Sequence, residues 1–292
     1  MSAPDRKPLW LRIVDFPLIT LVLVLLAVAL PLRVVGWAAA MVLPAGDHGW
    51  PYFLVRGLLQ PLVAVLVYRA VTTRIGIDRH QALPFSRRSL DALRGSELGF
   101  LLMSTIVAIA ALLGGYRIAG WGHLGSWRDL ILVAGTGAAV IEEIIARGIL
   151  FRYIEDLAGT WAALVLSAAL FGLGHALNPA ATWFSTIAIA VEAGVLLGGA
   201  YMLTRDLWLA MGIHFGWNVT QGLVWDVPVS GFAADGLVDA HAAGSELISG
   251  GAFGLEASVV ALVCAGAAGT ALVIAATRRG HVRAPLWSRR RT

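Results

Sequence analysis

The feature that most constrains this chain is a series of eight apolar stretches, each long enough to cross a bilayer as a helix. About 20 helical residues span the hydrocarbon core. The chain has 292 residues, of which 58% are hydrophobic and 14% charged, too few charges to cover a soluble globule. We therefore predict an all-α, polytopic integral membrane protein with about eight transmembrane helices. The stretches lie near residues 14–32, 53–71, 98–116, 129–150, 160–177, 182–203, 207–225 and 254–277.

The positive charges predict how the chain is oriented. Cytoplasmic ends of membrane spans carry an excess of Lys and Arg. If the N-terminus lies inside, only four of the 22 Lys and Arg residues fall outside: Arg33, Arg56, Arg117 and Arg128. This pattern predicts an even number of spans in the inner (cytoplasmic) membrane, with both termini in the cytoplasm. The net charge of +4 suits anionic lipid at the cytoplasmic face and gives no reason to expect nucleic acid.

The connections between the stretches predict a single membrane domain. The longer ones, 33–52, 72–96 and 226–253, lack the composition of a separate folded domain. The one cysteine, Cys264, lies in the middle of a stretch, which excludes a disulfide framework and a cysteine-rich metal site. The first stretch lacks a small-x-small cleavage site, so we interpret it as a retained span. Within the single domain 1–292, we distinguish N-terminal spans 1–128, a core 129–277 and a basic cytoplasmic tail 278–292.

Three charges interrupt the fourth apolar stretch, in "AVIEEIIARGILF" at 139–151. A charge at bilayer depth costs about 2.5–3.5 kcal/mol on insertion scales, so it persists where it faces a protein interior or a wet cavity. Glu143 and Arg147 are four residues apart and share one helical face, so they can neutralise each other. Glu142 lies about 100° around the helix without a partner in the helix. We predict that Glu143 is structural and that Glu142 faces a cavity.

Polar residues also interrupt two later stretches. Phe171 and His175 lie four apart in "FGLGH", and His214 and Asn218 lie four apart in "HFGWN". An acid, two imidazoles and a carboxamide on three helices are the groups of a hydrolytic site. Taken singly, each has an ordinary alternative: a structural ion pair, a satisfied polar residue near the interface, or a hydrogen bond between helices. Glu192 has no basic neighbour at helical spacing, and we favour a structural or substrate-groove role for it.

The three motifs resemble those of the CAAX-protease and bacteriocin-processing membrane endopeptidases, which include the type II CAAX prenyl endopeptidases. "EEIIAR" at 142–147 is similar to the EExxxR motif, "FGLGH" at 171–175 to FxxxH, and "HFGWN" at 214–218 to HxxxN. The resemblance covers roughly 129–277. It implies an eight-span helical fold, a catalytic cavity that opens toward the cytoplasm, and cleavage of a peptide bond in a membrane-embedded or lipid-anchored substrate.

The resemblance also implies roles for the motif residues. Glu142 matches the catalytic acid, Glu143 and Arg147 the supporting pair, and His175, His214 and Asn218 the rest of the site, with Phe171 in the second motif. In a metal-free mechanism, Glu142 and His175 activate water, while His214 and Asn218 donate to the oxyanion. In a zinc-dependent mechanism, His175, His214 and a Glu142 oxygen hold the metal. We favour the metal-free version because an asparagine amide is an uncommon zinc ligand but a good oxyanion donor.

Two further questions remain open from the sequence. A non-catalytic alternative, either a proton-coupled transporter or a scaffold, fits buried polar residues in broken helices equally well. The depths of the motif residues also disagree: counting about 1.5 Å per residue from the expected inner ends, Glu142 lies at ~12 Å and His175 at ~22 Å. The substrate is not specified by the sequence, although the chain looks bacterial, which favours a leader peptide, a bacteriocin precursor or another membrane protein over a prenylated one.

Overall fold

A computed structural model describes residues 8–43, 49–79 and 82–289. Arg6, Lys7 and the last arginines of the tail lie outside this part. Helices dominate the described residues, which confirms the all-α class, and the strands form one two-stranded sheet. The elements are α1 Leu9–Val14, α2 Pro17–Val42, α3 Trp50–Thr72, α4 Arg87–Leu112, β1 Tyr116–Trp121, α5 Asp129–Gly174, α6 Trp183–Thr204, α7 Trp208–Val219, β2 Val238–Ala242, α8 Glu246–Ser249 and α9 Val259–Arg278.

Six helices of the described chain are long and apolar enough to cross a membrane: α2, α3, α4, α5, α6 and α9. The longest, α5, has 46 residues and would measure about 69 Å if straight, over twice the hydrocarbon thickness. At Gly159 the backbone leaves the helical conformation (φ 83°, ψ 170°), so α5 consists of two arms, 129–158 and 160–174. Helix α7 continues into a π-helical segment at Thr220–Val224. The eight predicted stretches are therefore all largely helical.

The structure differs from the predicted boundaries and connections in several places. Helix α2 continues to Val42, because the apolar run resumes after Arg33 and one arginine does not end a helix. Helix α4 begins at Arg87, inside the predicted loop 72–96, since its first turns are polar and hydropathy does not detect them. Strands β1 and β2 pair antiparallel, with Tyr116 opposite Ala242. Their pairing joins distant parts of the chain, which a local pattern does not reveal.

Glycines set the position of α7, the helix that carries His214 and Asn218. Side-chain atoms added at Gly212 or Gly216 would overlap the backbone carbonyls of Ala92 and Ser96 on α4. On the facing side, Gly95 meets the carbonyl of Leu209 in the same way. Small residues spaced four apart allow two membrane helices to approach closely and gain packing energy. The close contact between α4 and α7 therefore fixes the helix that presents the last motif.

The bend at Gly159 is held by the C-terminal segment. The Thr160 amide donates to the Arg283 carbonyl at 3.1 Å, and the Arg283 amide donates to the Thr160 hydroxyl at 2.8 Å. The Arg283 guanidinium lies 3.0 Å from Asp78 and 3.5 Å from Asp156. This part of the basic tail therefore packs on the protein through ion pairs at the end of the bundle where the described residues begin and end, called here the end with the termini.

Candidate active site

Glu143 is the buried anchor of the site. Its side chain is 0% exposed, and one carboxylate oxygen, Oε1, accepts a hydrogen bond from Arg147 Nη1 at 2.8 Å. The same oxygen lies 3.0 Å from His214 Nδ1. Two π-helical segments, Asp129–Gly137 and Ile144–Phe151, flank the short α-helical stretch that carries Glu143. Such π-helical turns often occur at functional sites. Glu143 therefore connects the first arm of α5 to α7.

Arg147 extends this connection to two more segments. Its Nη2 donates to the Ala193 carbonyl of α6 at 3.0 Å, and its guanidinium lies 4.6 Å from the centre of the Phe171 ring. A cation over an aromatic face is attracted by the ring electrons, most strongly when water is excluded. Arg147 is 1% exposed. Its contacts hold both arms of α5 and α6 around one point.

Glu142, adjacent in sequence, has a different environment. Its side chain is 36% exposed, and Oε2 lies 3.8 Å from His175 Nε2 and 4.0 Å from His214 Nε2. Among the described residues, no group donates a hydrogen bond to this buried oxygen. The structure thus brings one carboxylate and two imidazoles from three helical segments within reach of a single bridging water.

The hydrogen bonds of the two imidazoles define which nitrogens face Glu142. His175 Nδ1 lies 2.8 Å from the Phe171 carbonyl, and His214 Nδ1 lies 3.0 Å from the Glu143 carboxylate. Both partners accept hydrogen bonds, so each Nδ1 carries a proton and donates. In the neutral form of each ring, Nε2 is therefore a free acceptor.

Asn218 lies one turn after His214 and lines the same cavity. Its Nδ2 donates to the Ala134 carbonyl at 2.8 Å. An asparagine amide has two N–H donors, so this bond orients the group and leaves one donor.

The bend at Gly159 accounts for the depths of Glu142 and His175. Hydropathy predicts the inner end of the fourth span at residue 150, but the first arm continues to residue 158. Glu142 and His175 stand at nearly equal sequence distances before and after Gly159, about 25 Å along each arm. The expected difference in depth was wrong because the inner end was set too early, and the two residues face each other across the hairpin.

Comparison with known proteins agrees with the motifs. A family model described as "Rce1-like: Type II CAAX prenyl endopeptidase Rce1-like" matches residues 124–220, which include all three motifs. The resemblance to this family is confirmed. No curated protein and no solved structure matches the chain. The match to the Rce1-like family supports an intramembrane endopeptidase of the CAAX type.

Two spaces adjoin the motif residues. The larger cavity has a volume of about 810 Å³ and is lined by Glu142, both histidines and Asn218. This volume lies in the range of about 300–1,000 Å³ that is usual for ligand pockets. The smaller recess has a volume of about 40 Å³ and lies beside both histidines. A water needs about 10–15 Å³ by this measure, so the recess has room for a few water molecules.

The recess contains two acids that the motifs do not include. Glu192 is 1% exposed, and its Oε2 accepts no hydrogen bond from the described residues. Glu256 is 4% exposed and accepts from the Ser230 amide and hydroxyl at 2.9 and 3.0 Å. Glu192 stands out in the sequence as an acid in the middle of an apolar stretch, whereas Glu256 and Ser230 carry no such signal. Glu256 lies at the very start of the last predicted apolar stretch, 254–277, a position that is ordinarily interfacial, and only the folded loop brings it to the histidines.

The donors around Glu142 are spaced more widely than the ligands of a tetrahedral zinc ion. Two ligands bound to zinc at about 2.0–2.1 Å in tetrahedral geometry stand about 3.3 Å apart. The corresponding separations here are 3.8 and 4.0 Å. Across the described ranges, no group of three or more His, Cys, Asp or Glu side chains has an arrangement able to hold a metal ion.

Proposed function

We propose that the chain is an intramembrane endopeptidase that hydrolyses a peptide bond in a membrane-embedded or lipid-anchored polypeptide, with water activated by Glu142 and His175. The observation that carries this proposal is the position of Glu142 Oε2, 3.8 and 4.0 Å from the two histidine Nε2 atoms at the wall of an 810 Å³ cavity. The match of residues 124–220 to a CAAX endopeptidase family supports it.

The first step is activation of water. A water between Glu142 Oε2 and His175 Nε2 donates one hydrogen bond to each, since both atoms are acceptors. As the water oxygen attacks the substrate carbonyl carbon, Glu142 takes its proton, which is general base catalysis worth about 10²–10⁴ in rate. Glu142 then delivers this proton to the amide nitrogen that leaves. Glu142 therefore returns to its ionised form at the end of the reaction.

The second requirement is stabilisation of the tetrahedral oxyanion. Asn218 donates the second N–H of its side-chain amide, because the first is bonded to the Ala134 carbonyl. His214 donates from Nε2 in its imidazolium form, in which Glu142 and Glu143 balance the charge. Preorganised donors of this kind are among the largest contributions to acyl-transfer catalysis. Glu143 and Arg147 act as positioning residues, because they hold His214 and do not line the cavity.

The zinc-dependent version predicts a different response to chelation. In the metal-free version, purified protein cleaves a peptide library equally well with and without a chelator. Chelator-sensitive cleavage that is restored by added zinc would contradict the metal-free assignment and leave the endopeptidase function intact.

Single substitutions test the site itself. E142Q, H175A and H214A are each expected to abolish cleavage of a membrane-anchored peptide while the folded protein is retained, as judged by gel filtration in detergent. E246Q and H241A are matched controls, since both residues are exposed and lie in the outer loop away from the cavity. Retained cleavage in all three site variants rejects the proposal, as does the absence of cleavage by the native chain on every membrane-anchored substrate tested.

A further inference from the structure

The larger cavity opens at one particular end of the bundle. From Glu142 and His175, its lining continues through Asp129 and Ser126 to the loop residues 229, 230, 232 and 233. All of these lie toward the end that carries the β1–β2 sheet. Of the described residues, none from the connections 73–86, 152–159, 205–207 or 279–289 at the opposite end lines the cavity.

The end that carries the termini is closed beneath the site. A cluster of large buried side chains fills the bundle there, and it contains Tyr68, Ile149, Phe151, Tyr153 and Tyr201, each at most 1% exposed. Beyond this cluster lies an ionic network. Arg152 donates to the Asp78 carbonyl, Arg205 pairs with Glu155 at 2.9 Å, and Arg283 bridges to Asp156. Opening a path through this layer would leave the buried carboxylates of Glu155 and Asp156 without their arginine partners, which is unfavourable.

Aromatic residues mark the membrane surface beside the open end. Trp50 and Trp127 pack edge to face with ring centres 5.9 Å apart, and Arg128 lies over both rings at 5.3 and 5.7 Å. Trp and Tyr are enriched where the bilayer meets water. Trp127 adjoins Ser126, which lines the cavity. The mouth therefore lies at the level of the lipid head groups, and Leu170, 45% exposed on the bundle surface, extends the cavity to the lipid side.

The charge distribution identifies which side of the membrane this end faces. Of the 18 Lys and Arg residues that the structure describes, only Arg33, Arg56, Arg117 and Arg128 belong to the open end. Apart from Arg147, which is buried in the site, the other described positive residues lie toward the opposite end, and such an excess marks the cytoplasmic side of a membrane protein. The cavity mouth is thus on the side with few positive charges. This differs from the opening toward the cytoplasm that the family resemblance implied.

We propose that the active site works from the extracytoplasmic side, on membrane-anchored polypeptides whose cleavable segment has been exported across the bilayer. The inference rests on the proposed endopeptidase function and names its substrate class: an extended segment next to a membrane span, on the side away from the cytoplasm. A lipidated C-terminus in the cytoplasm lies on the closed side of the bundle and cannot reach Glu142.

Labelling of single cysteines in cells tests the orientation directly. In a C264A background, A233C places a thiol at the exposed mouth of the cavity, and I77C places one on the exposed connection at the other end. A membrane-impermeant maleimide is applied to intact spheroplasts of a bacterial expression host and, separately, to permeabilised ones. We expect A233C to be labelled in both preparations and I77C only after permeabilisation.

The opposite pattern overturns the inference, as does labelling of both variants in intact spheroplasts, which would mean a mixed orientation. Cleavage measured on the purified C264A protein separates this outcome from failure of the proposed function, because labelling requires no activity. If labelling follows the expected pattern but the purified protein shows no cleavage, the proposed orientation is supported and the endopeptidase function is rejected. Cleavage combined with I77C labelled from outside rejects the orientation alone.

Discussion

The two adjacent glutamates of the first motif should respond differently to replacement by glutamine. E143Q should lower the stability of the fold, whereas E142Q should lower the cleavage rate. In E143Q, an uncharged amide replaces a carboxylate that is 0% exposed and accepts from Arg147 at 2.8 Å. Arg147 is 1% exposed and loses its closest counter-charge. Breaking one side of a buried ion pair costs about 3–5 kcal/mol. At about 2–3 °C per kcal/mol for a chain of this size, the melting temperature should fall by about 6–15 °C.

E142Q should leave stability almost unchanged. The Glu142 side chain is 36% exposed, and the described residues donate no hydrogen bond to its Oε2. Substitutions outside the packed core usually change stability by less than about 0.5 kcal/mol. Loss of the general base should lower the cleavage rate by about 10²–10⁴.

The assay is thermal unfolding in detergent, followed by tryptophan fluorescence, together with cleavage of a membrane-anchored peptide at a temperature where both variants are folded. The double variant E143Q/R147Q removes both charges and should recover part of the lost melting temperature without recovering activity. The reasoning is refuted if E142Q lowers the melting temperature as much as E143Q, or if E142Q cleaves at the native rate.

Three further predictions concern the bend, the oxyanion donor and a loop carboxyl group. G159A should lower the melting temperature by several degrees, because φ is +83° and a Cβ there would lie 2.9 Å from the Arg283 carbonyl. The control G266A should leave the melting temperature unchanged, because a Cβ at that position meets no atom within 4 Å. Equal effects of the two substitutions would contradict this explanation. N218A should lower kcat by about 10²–10³ with little change in KM, whereas a change confined to KM would assign Asn218 to substrate binding. Burial raises the pKa of Asp206 to about 6 from 3.8. The folded chain therefore holds a proton that the unfolded chain releases, and stability should fall as pH rises from about 4 to about 6. D206N should reduce this fall, and a pH dependence of unfolding that is identical in D206N and the native chain would refute the prediction.

The motif spacing predicted local contacts accurately. Glu143 and Arg147 pair as their four-residue spacing requires, because neighbours on one helical face are determined by the helix alone. The depth argument failed for His175, since it depended on where a helix ends. Gly159 marks that point through a backbone conformation suited to glycine, held in place by the distant Arg283. Hydropathy alone does not distinguish such a glycine from the many that lie inside helices.

The sequence by itself determined the membrane class, the helical stretches, the likeness to CAAX endopeptidases and the division of labour expected between two adjacent acids. These depend on hydropathy and on helical periodicity, which are local properties. Only the tertiary structure decided that Glu142, His175 and His214 meet, that Glu256 joins them, and that the cavity opens away from the termini. Those outcomes depend on close packing between distant helices and on a hairpin bend, in which the partners are separated by tens of residues along the chain.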